Sequence, residues 1–287
     1  MKDQIPLPDS RTGAPGAGGG RAAFGGSIPR EYQERLVPLL FQEYATDIVS
    51  RVGPVRGAVL ETAAGTGVVS RRLRAALPAE TALTVSDVSA EMLALARESL
   101  AGAAGVEFVA ADATATPFGD GAFDAVVCQF GVMFFPDQAA GFREAFRVLR
   151  PGGRFVFSVW DDLASNPLPQ CVHEAVASVS PRDPARFLEK PYRALDLTGM
   201  VRELQGAGFG EIRATVLPKV CRAPSGAAGV DAFLLGTPLG AQLAERGVAG
   251  EASAVARRMA AERFAGGDET AAIAVPMRAV VVEAMKN

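Results

Sequence analysis

An α/β fold built on a parallel sheet is what this sequence predicts, and three observations carry it. Short apolar runs alternate with amphipathic ones from residue 58 to residue 160, the signature of βαβ units with right-handed crossovers. The first apolar run enters a turn containing Gly65 and Gly67 and leaves as an amphipathic stretch, so strand, tight loop and helix start follow one another. Polar markers then fall at the carboxyl ends of successive strands: Glu61, Asp87 and Asp112.

The elements follow in order. Residues 1–27 are rich in Gly, Pro and polar side chains; such a stretch buries too little apolar surface to fold alone, and a flexible tail is expected. Phe24 and its flanking glycines also fit a lid that orders over bound ligand. Ser27 as N-cap and Pro29 just inside predict a helix near 29–37. Pro38 is expected to begin a second helix to about Val52, with Leu36, Leu40, Tyr44 and Ile48 on one face. Residues 28–57 thus form N-terminal helices, and 58–287 the main domain. In that domain strand 58–62 leads through the glycine loop to helix 67–77. Strand 83–86 ends at Asp87, and Ser89 caps helix 90–100. Strand 106–109 ends near Asp112. Strand 123–129 precedes helix 138–149, which Asp137 caps, and Pro151-Gly152-Gly153 turns into strand 154–160. Beyond Trp160 the pattern loosens: a helical piece near 169–179, helix 197–206 capped by Asp196, strand 211–220, alanine-rich helices over 224–268, and a last strand-like run over 270–285. Two irregular inserts, about 161–195 and 224–268, are expected to roof a substrate cavity.

Composition excludes several function classes. The chain has 287 residues, 49% hydrophobic and 21% charged, enough for one sizeable core. A net charge of −3 offers no basic field for nucleic acid. No apolar run approaches a membrane span, and no hydrophobic signal core opens the chain, so export is not expected. The three cysteines, Cys128, Cys171 and Cys221, are dispersed and odd in number, which fits reduced thiols in a cytoplasmic protein. With one histidine and no cluster of ligands, no metal site is expected. Nothing in the sequence speaks to oligomeric state.

In an open parallel sheet, ligands bind outside the carboxyl ends of the strands. There Asp87 can take a vicinal diol with its two acceptor oxygens. Asp112 and the Ala113 backbone can read an adenine amino edge, while Val88 and Met92 offer apolar surface to a purine. The loop Glu61-Thr62-Ala63-Ala64-Gly65-Thr66-Gly67 can approach a ligand's oxygens, helped by the following helix N-terminus. A dinucleotide fingerprint fits poorly, because Ser70 stands where its third small residue belongs. A phosphate-binding P-loop is excluded, since no Gly-Lys-Ser/Thr follows.

Taken together, the loop from Val59 to Gly67, Leu83 to Asp87, Val106 to Ala113, Pro117-Phe118 to Asp124, and Val148-Leu149-Arg150-Pro151-Gly152-Gly153 resemble the class I S-adenosylmethionine-dependent methyltransferases. More narrowly, the chain is similar to their bacterial small-molecule and quinone-type branch. The resemblance spans about residues 58–160. It implies a Rossmann-like seven-stranded sheet, order 3-2-1-4-5-7-6, with the last strand antiparallel beside strand 154–160. It implies S-adenosyl-L-methionine as cofactor and S-adenosyl-L-homocysteine as product. Glu61, Ala63, Gly65, Thr66 and Gly67 match the loop at the methionine moiety; Ala64 stands where the family usually has Cys or Pro. Asp87 matches the ribose acid, Val88 the adenine-packing residue, and Asp112 and Ala113 the adenine-edge readers. Gln129 and Phe130 match the place where the methionine end meets the acceptor. The implied function is methyl transfer to a small-molecule acceptor, of a secondary metabolite or a quinone or lipid precursor, with cofactor binding without transfer as a further alternative.

Methyl transfer from a sulfonium needs alignment and dryness more than a protein nucleophile, but a phenol or carbon acid also calls for a base. His173, the only histidine, follows the fifth strand, and histidine is the side-chain type most used as a general base at physiological pH. Asp161, at the end of that strand, and Tyr32, in the N-terminal helices, are the other catalytic candidates.

Overall fold

The alternation of apolar runs becomes one sheet. The computed structural model describes residues 24–287, with strands β1 (Ala58–Glu61), β2 (Ala82–Asp87), β3 (Val106–Ala110), β4 (Phe123–Gln129), β5 (Leu149–Trp160), β6 (Gly210–Ala223) and β7 (Ile273–Met285). The helices are α1 (Ile28–Glu31), α2 (Gln42–Val52), α3 (Val68–Ala76), α4 (Ala90–Ser99), α5 (Gln138–Val148), α6 (Pro167–Val179), α7 (Leu197–Ala207), α8 (Gly226–Gly236), α9 (Leu239–Glu245) and α10 (Ala249–Phe264). The seven strands lie in the order β3-β2-β1-β4-β5-β7-β6. β1 to β5 are parallel, and β7 runs antiparallel between β5 and β6, pairing Arg154 with Met285 and Trp160 with Ala279. This is the expected strand order. The expected tail lies outside the described residues except for 24–27.

Central strands are apolar on both sides because helices cover both faces. Leu60, Val126, Phe155 and Phe157 are all buried, each worth about 1.5–3 kcal/mol against exposure. Helix starts follow local chemistry. Met92 N–H donates to Ser89 Oγ at 3.2 Å, Ala140 N–H to Asp137 Oδ1 at 3.0 Å, and Gly199 N–H to Asp196 Oδ1 at 2.8 Å. Each satisfies one orphan donor of a first turn. Ser27 is different: its side chain makes no cap bond and its backbone is already helical.

Two boundaries differ from the sequence expectation. Pro38 does not start a helix. It lies inside a continuous helical run whose middle, Tyr32–Phe41, is wound as a π-helix, so that Gln42 N–H donates to Val37 C=O. Proline lacks the N–H of an α-turn and its ring crowds the carbonyl four residues back; the wider π-turn accommodates both, and such turns are frequent at functional sites. The run ends at Gly53, φ +66°. The Pro151-Gly152-Gly153 segment, in turn, belongs to β5 rather than preceding it: Leu149 already pairs with Phe123, and a register irregularity absorbs the turn.

Candidate functional site

The carboxyl ends of β1, β2 and β4 meet at the glycine loop. Ala64 N–H donates to Ser86 C=O at 3.0 Å and Gly65 N–H to Asp87 Oδ2 at 2.8 Å. The loop turns through left-handed backbone at Ala63 (φ +50°), Gly65 (φ +56°) and Gly67 (φ +85°) before α3 begins. Gly131, just past β4, lets the two loops touch, because a Cβ there would overlap Ala63 Cβ and come within 2.7 Å of Cys128 Sγ.

A cavity of about 750 Å³ opens above these strand ends, a size suited to small-molecule ligands. Of the residues singled out from sequence, Tyr32, Ala63, Gly65, Asp87, Val88, Met92, Asp112, Ala113, Gln129 and Phe130 line it. Asp87 is 8% exposed, and its Oδ1 accepts the Ser89 N–H at 2.8 Å. Burial pushes its carboxyl up, opposed by the backbone N–H groups of Ser89, Gly65 and Val88. Each oxygen keeps a second lone pair for a ligand. Asp112 Oδ1 accepts from the Thr114 N–H at 2.8 Å and hydroxyl at 2.7 Å. Gln129 Nε2 donates to Phe41 C=O at 3.4 Å, whereas its Oε1 is buried with no partner among the described residues. Phe130 holds φ +55°, a costly backbone for a bulky residue; its N–H is fixed by Ser158 C=O at 3.0 Å and Ser158 Oγ at 3.2 Å.

The remaining sequence candidates lie elsewhere. Glu61, 2% exposed, sits outside the cavity lining; burial pushes its carboxyl up to about 8, and Oε2 has no partner among the described residues. Thr66 is buried, and Gly67 faces α4, where a Cβ would fall 3.1 Å from Ala96 Cα. Neither lines the cavity. His173 lies on α6, outside the lining, with Nδ1 buried and without a partner among the described residues. Asp161 also lies outside it: Oδ2 accepts from Arg278 Nε at 2.6 Å and Oδ1 from Asp162 N–H at 2.9 Å, so both oxygens tie β5 to its surroundings.

Aromatic side chains make up much of the other half of the cavity. Phe130 stacks on Trp160 with centroids 4.0 Å apart, and Tyr192 covers the indole at 5.5 Å. Tyr32 stacks on Phe41 at 5.1 Å, and its ring and hydroxyl lie 3.8 Å from where a Cβ on Gly65 would fall. Phe24 sits edge-on to Tyr32, Phe134 and Phe187. Arg186, Leu188 and Lys190 of the first insert, and Phe233, Thr237 and Gln242 of the second, complete the lining. Sequence reasoning singled out the inserts but not Tyr192, Trp160 or Lys190 as lining residues; no motif or periodicity marks them. Among the described residues no group of three or more potential metal ligands occurs.

The donor set fits an adenosyl amino acid. Asp87 has lone pairs that would suit a diol, Val88 and Met92 offer apolar surface that would suit a purine, and Gln129 Oε1 would suit an ammonium. A family model described as a methyltransferase domain matches residues 59–153. A demethylmenaquinone methyltransferase of Clavibacter sepedonicus is 49% identical over 107 residues, 37% of this chain and 42% of the relative. One of a Mycobacterium species (strain KMS) is 33% identical over 165 residues, 54% of this chain and 68% of the relative. The chain belongs to the class I S-adenosylmethionine-dependent methyltransferases. Among solved structures, phosphoethanolamine N-methyltransferase 2 of Haemonchus contortus, in complex with phosphomonomethylethanolamine and S-adenosylhomocysteine, shares the methyltransferase fold. Its TM-score is 0.53 at 17% identity, over 85% of this chain and 52% of that one. The chain spans about half or less of the length of the first curated relatives it matches, from 42% to 53%. No helix among the described residues is long and apolar enough to cross a membrane.

Proposed function

We propose that this methyltransferase-family protein transfers a methyl group from S-adenosyl-L-methionine to a small, largely apolar acceptor, leaving S-adenosyl-L-homocysteine. One observation carries the reading: a single cavity joins the adenosine markers Asp87 and Asp112, the glycine loop and the aromatic chamber under the two inserts. When bound, the cofactor supplies an electrophilic methyl group on a sulfonium. The protein's part is placement. Asp87 holds the ribose diol and, through the Gly65 N–H, the loop beside it. Gln129 Oε1 takes the ammonium. Phe130, Trp160, Phe41 and Tyr32 keep the acceptor dry and set it in line, the contribution that positioning and water exclusion make to such displacements. Tyr32 acts as a hydrogen-bond donor, since burial raises its phenol. The acceptor is a free small molecule, and the three unpaired thiols suit a reducing cytoplasmic setting.

A second reading is favoured by the names of the relatives, which are demethylmenaquinone and ubiquinone/menaquinone C-methyltransferases: the acceptor is a quinone precursor. Calorimetric titration with S-adenosylmethionine and S-adenosylhomocysteine tests the common ground. Binding of both supports the proposal; no binding at millimolar ligand overturns it. Mass analysis of products from candidate acceptors then separates methyl transfer from cofactor binding alone.

A further inference from the structure

The acceptor half of the cavity has a sign. Six titratable or charged side chains line the whole chamber: Tyr32, Asp87, Asp112, Arg186, Lys190 and Tyr192. Both carboxylates stand at the adenosine end, on the ends of β2 and β3. The acceptor end carries two cations and the Tyr192 phenol, and among the described residues no carboxylate and no imidazole, while the Tyr32 hydroxyl lies over the Gly65 turn between the two ends. Arg186 is matched by Glu189, at 2.9 Å. Lys190 has no acidic partner among the described residues; its Nζ contacts only the Phe134 C=O at 3.4 Å and lies 5.5 Å from that ring's centroid. The Tyr32 and Tyr192 hydroxyls make no hydrogen bond to the described residues, though both rings are fixed by stacking, Tyr32 on Phe41 and Tyr192 on Trp160. Burial raises both phenols, so they remain protonated and donate.

We infer that the acceptor enters this chamber already ionised, as the oxyanion of a planar phenol or enol, held by the Tyr192 hydroxyl and the Lys190 ammonium. This rests on the methyltransferase reading above and names its substrate class. An unpaired cation and a free phenol donor in an apolar chamber stabilise an anion and repel an ammonium acceptor; hydrogen bonds to a charged partner are the stronger kind. The missing base follows. Transfer to the oxygen forms an oxygen–carbon bond as the carbon–sulfur bond breaks and its electron pair stays on sulfur. The anion and the sulfonium become two neutral products, the acceptor's proton having gone to solvent before binding. Transfer to a ring carbon would instead leave a proton to remove, with no group in that half to take it. Tyr192 and Lys190 are positioning and specificity residues in this account.

The test uses 4-nitrophenol, whose ionisation near neutrality is visible in its absorbance, with the full-length protein saturated by S-adenosylhomocysteine. The expected result is a lowered apparent pKa of the bound phenol, lost in large part in Lys190→Gln and in Tyr192→Phe. The first substitution is at an exposed side chain and the second keeps the ring on Trp160, so both variants keep the fold, checked by circular dichroism. 4-Nitroaniline, of the same shape without the charge, should bind more weakly. A raised or unmoved pKa, a shift that survives both substitutions, or tighter binding of the aniline overturns the inference while the methyltransferase reading stands. Failure of S-adenosylhomocysteine to bind in the same sample brings down both.

Discussion

Asp87 Oδ2 accepts the Gly65 N–H at 2.8 Å, so the acid at the end of β2 clamps the glycine loop at the end of β1. One carboxylate thereby shapes the loop and, in the function proposed above, also offers lone pairs to the ribose. Asp87→Ala removes both effects and should weaken S-adenosylmethionine by about 1–3 kcal/mol, the usual loss for hydrogen bonds to a charged group. Asp87→Asn keeps one acceptor oxygen and should fall between. Calorimetric affinities decide; an unchanged Kd for Asp87→Ala removes the residue from the site.

The half of the cavity containing Asp87 was legible in the sequence because its chemistry is local. A strand end, a glycine turn and an acid at the next strand end recur at fixed spacing, and the sheet order brings them together. The acceptor half was not. Lys190 and Tyr192 follow a short 3-10 turn, and neither periodicity nor motif says which side of it faces a cavity. The π-helical Tyr32–Phe41 segment was illegible for a related reason. Gly236 of α8 approaches Tyr32 and Leu36 so closely that a Cβ there would fall 3.2 Å from Tyr32 Cα, a constraint that tertiary packing sets and the local sequence does not. His173 and Asp161 follow the fifth strand in sequence, and their place outside the cavity lining shows only in three dimensions.

Glu61 predicts a pH dependence of stability. Its folded pKa is pushed up to about 8 by burial, above the ordinary value of about 4.3. The folded state therefore holds the proton more tightly than the unfolded chain. That contribution is fully present below the unfolded value and is lost as pH rises towards and through about 8. Glu61→Gln should flatten the pH profile of unfolding free energy between these limits, by an amount on the order of a few kcal/mol. Urea melts of both proteins at pH 5 and pH 8 measure it (these pH values being roughly the ends of the window). Parallel profiles would show that Glu61 is not titrating there.

Gly131 predicts a packing clash. A Cβ at that position overlaps Ala63 Cβ and crowds Cys128 Sγ. Gly131→Ala should destabilise the protein by about 1–3 kcal/mol, the range for overpacked sites. The double variant with Ala63→Gly should recover part of that loss, since glycine also suits the φ of +50° there. Thermal melts of the single and double variants give the coupling directly; strict additivity would mean that the two loops are not in contact.

Tyr32 and His173 make opposite predictions for the same assay. The Tyr32 ring and hydroxyl lie over the Gly65 turn at the donor end of the cavity, and burial keeps the phenol protonated. Tyr32→Phe preserves the stack on Phe41 and removes one donor, so it should cost about 1 kcal/mol in kcat/KM, near fivefold, without moving the pH profile. His173 lies outside the cavity on α6. His173→Gln should leave kcat and KM unchanged, and any rise of rate near the ordinary histidine pKa should persist in that variant. Steady-state rates of S-adenosylhomocysteine formation across neutral pH separate the cases. Loss of activity in His173→Gln, with intact cofactor binding, would return that residue to the reaction and require α6 to move towards the cavity during turnover.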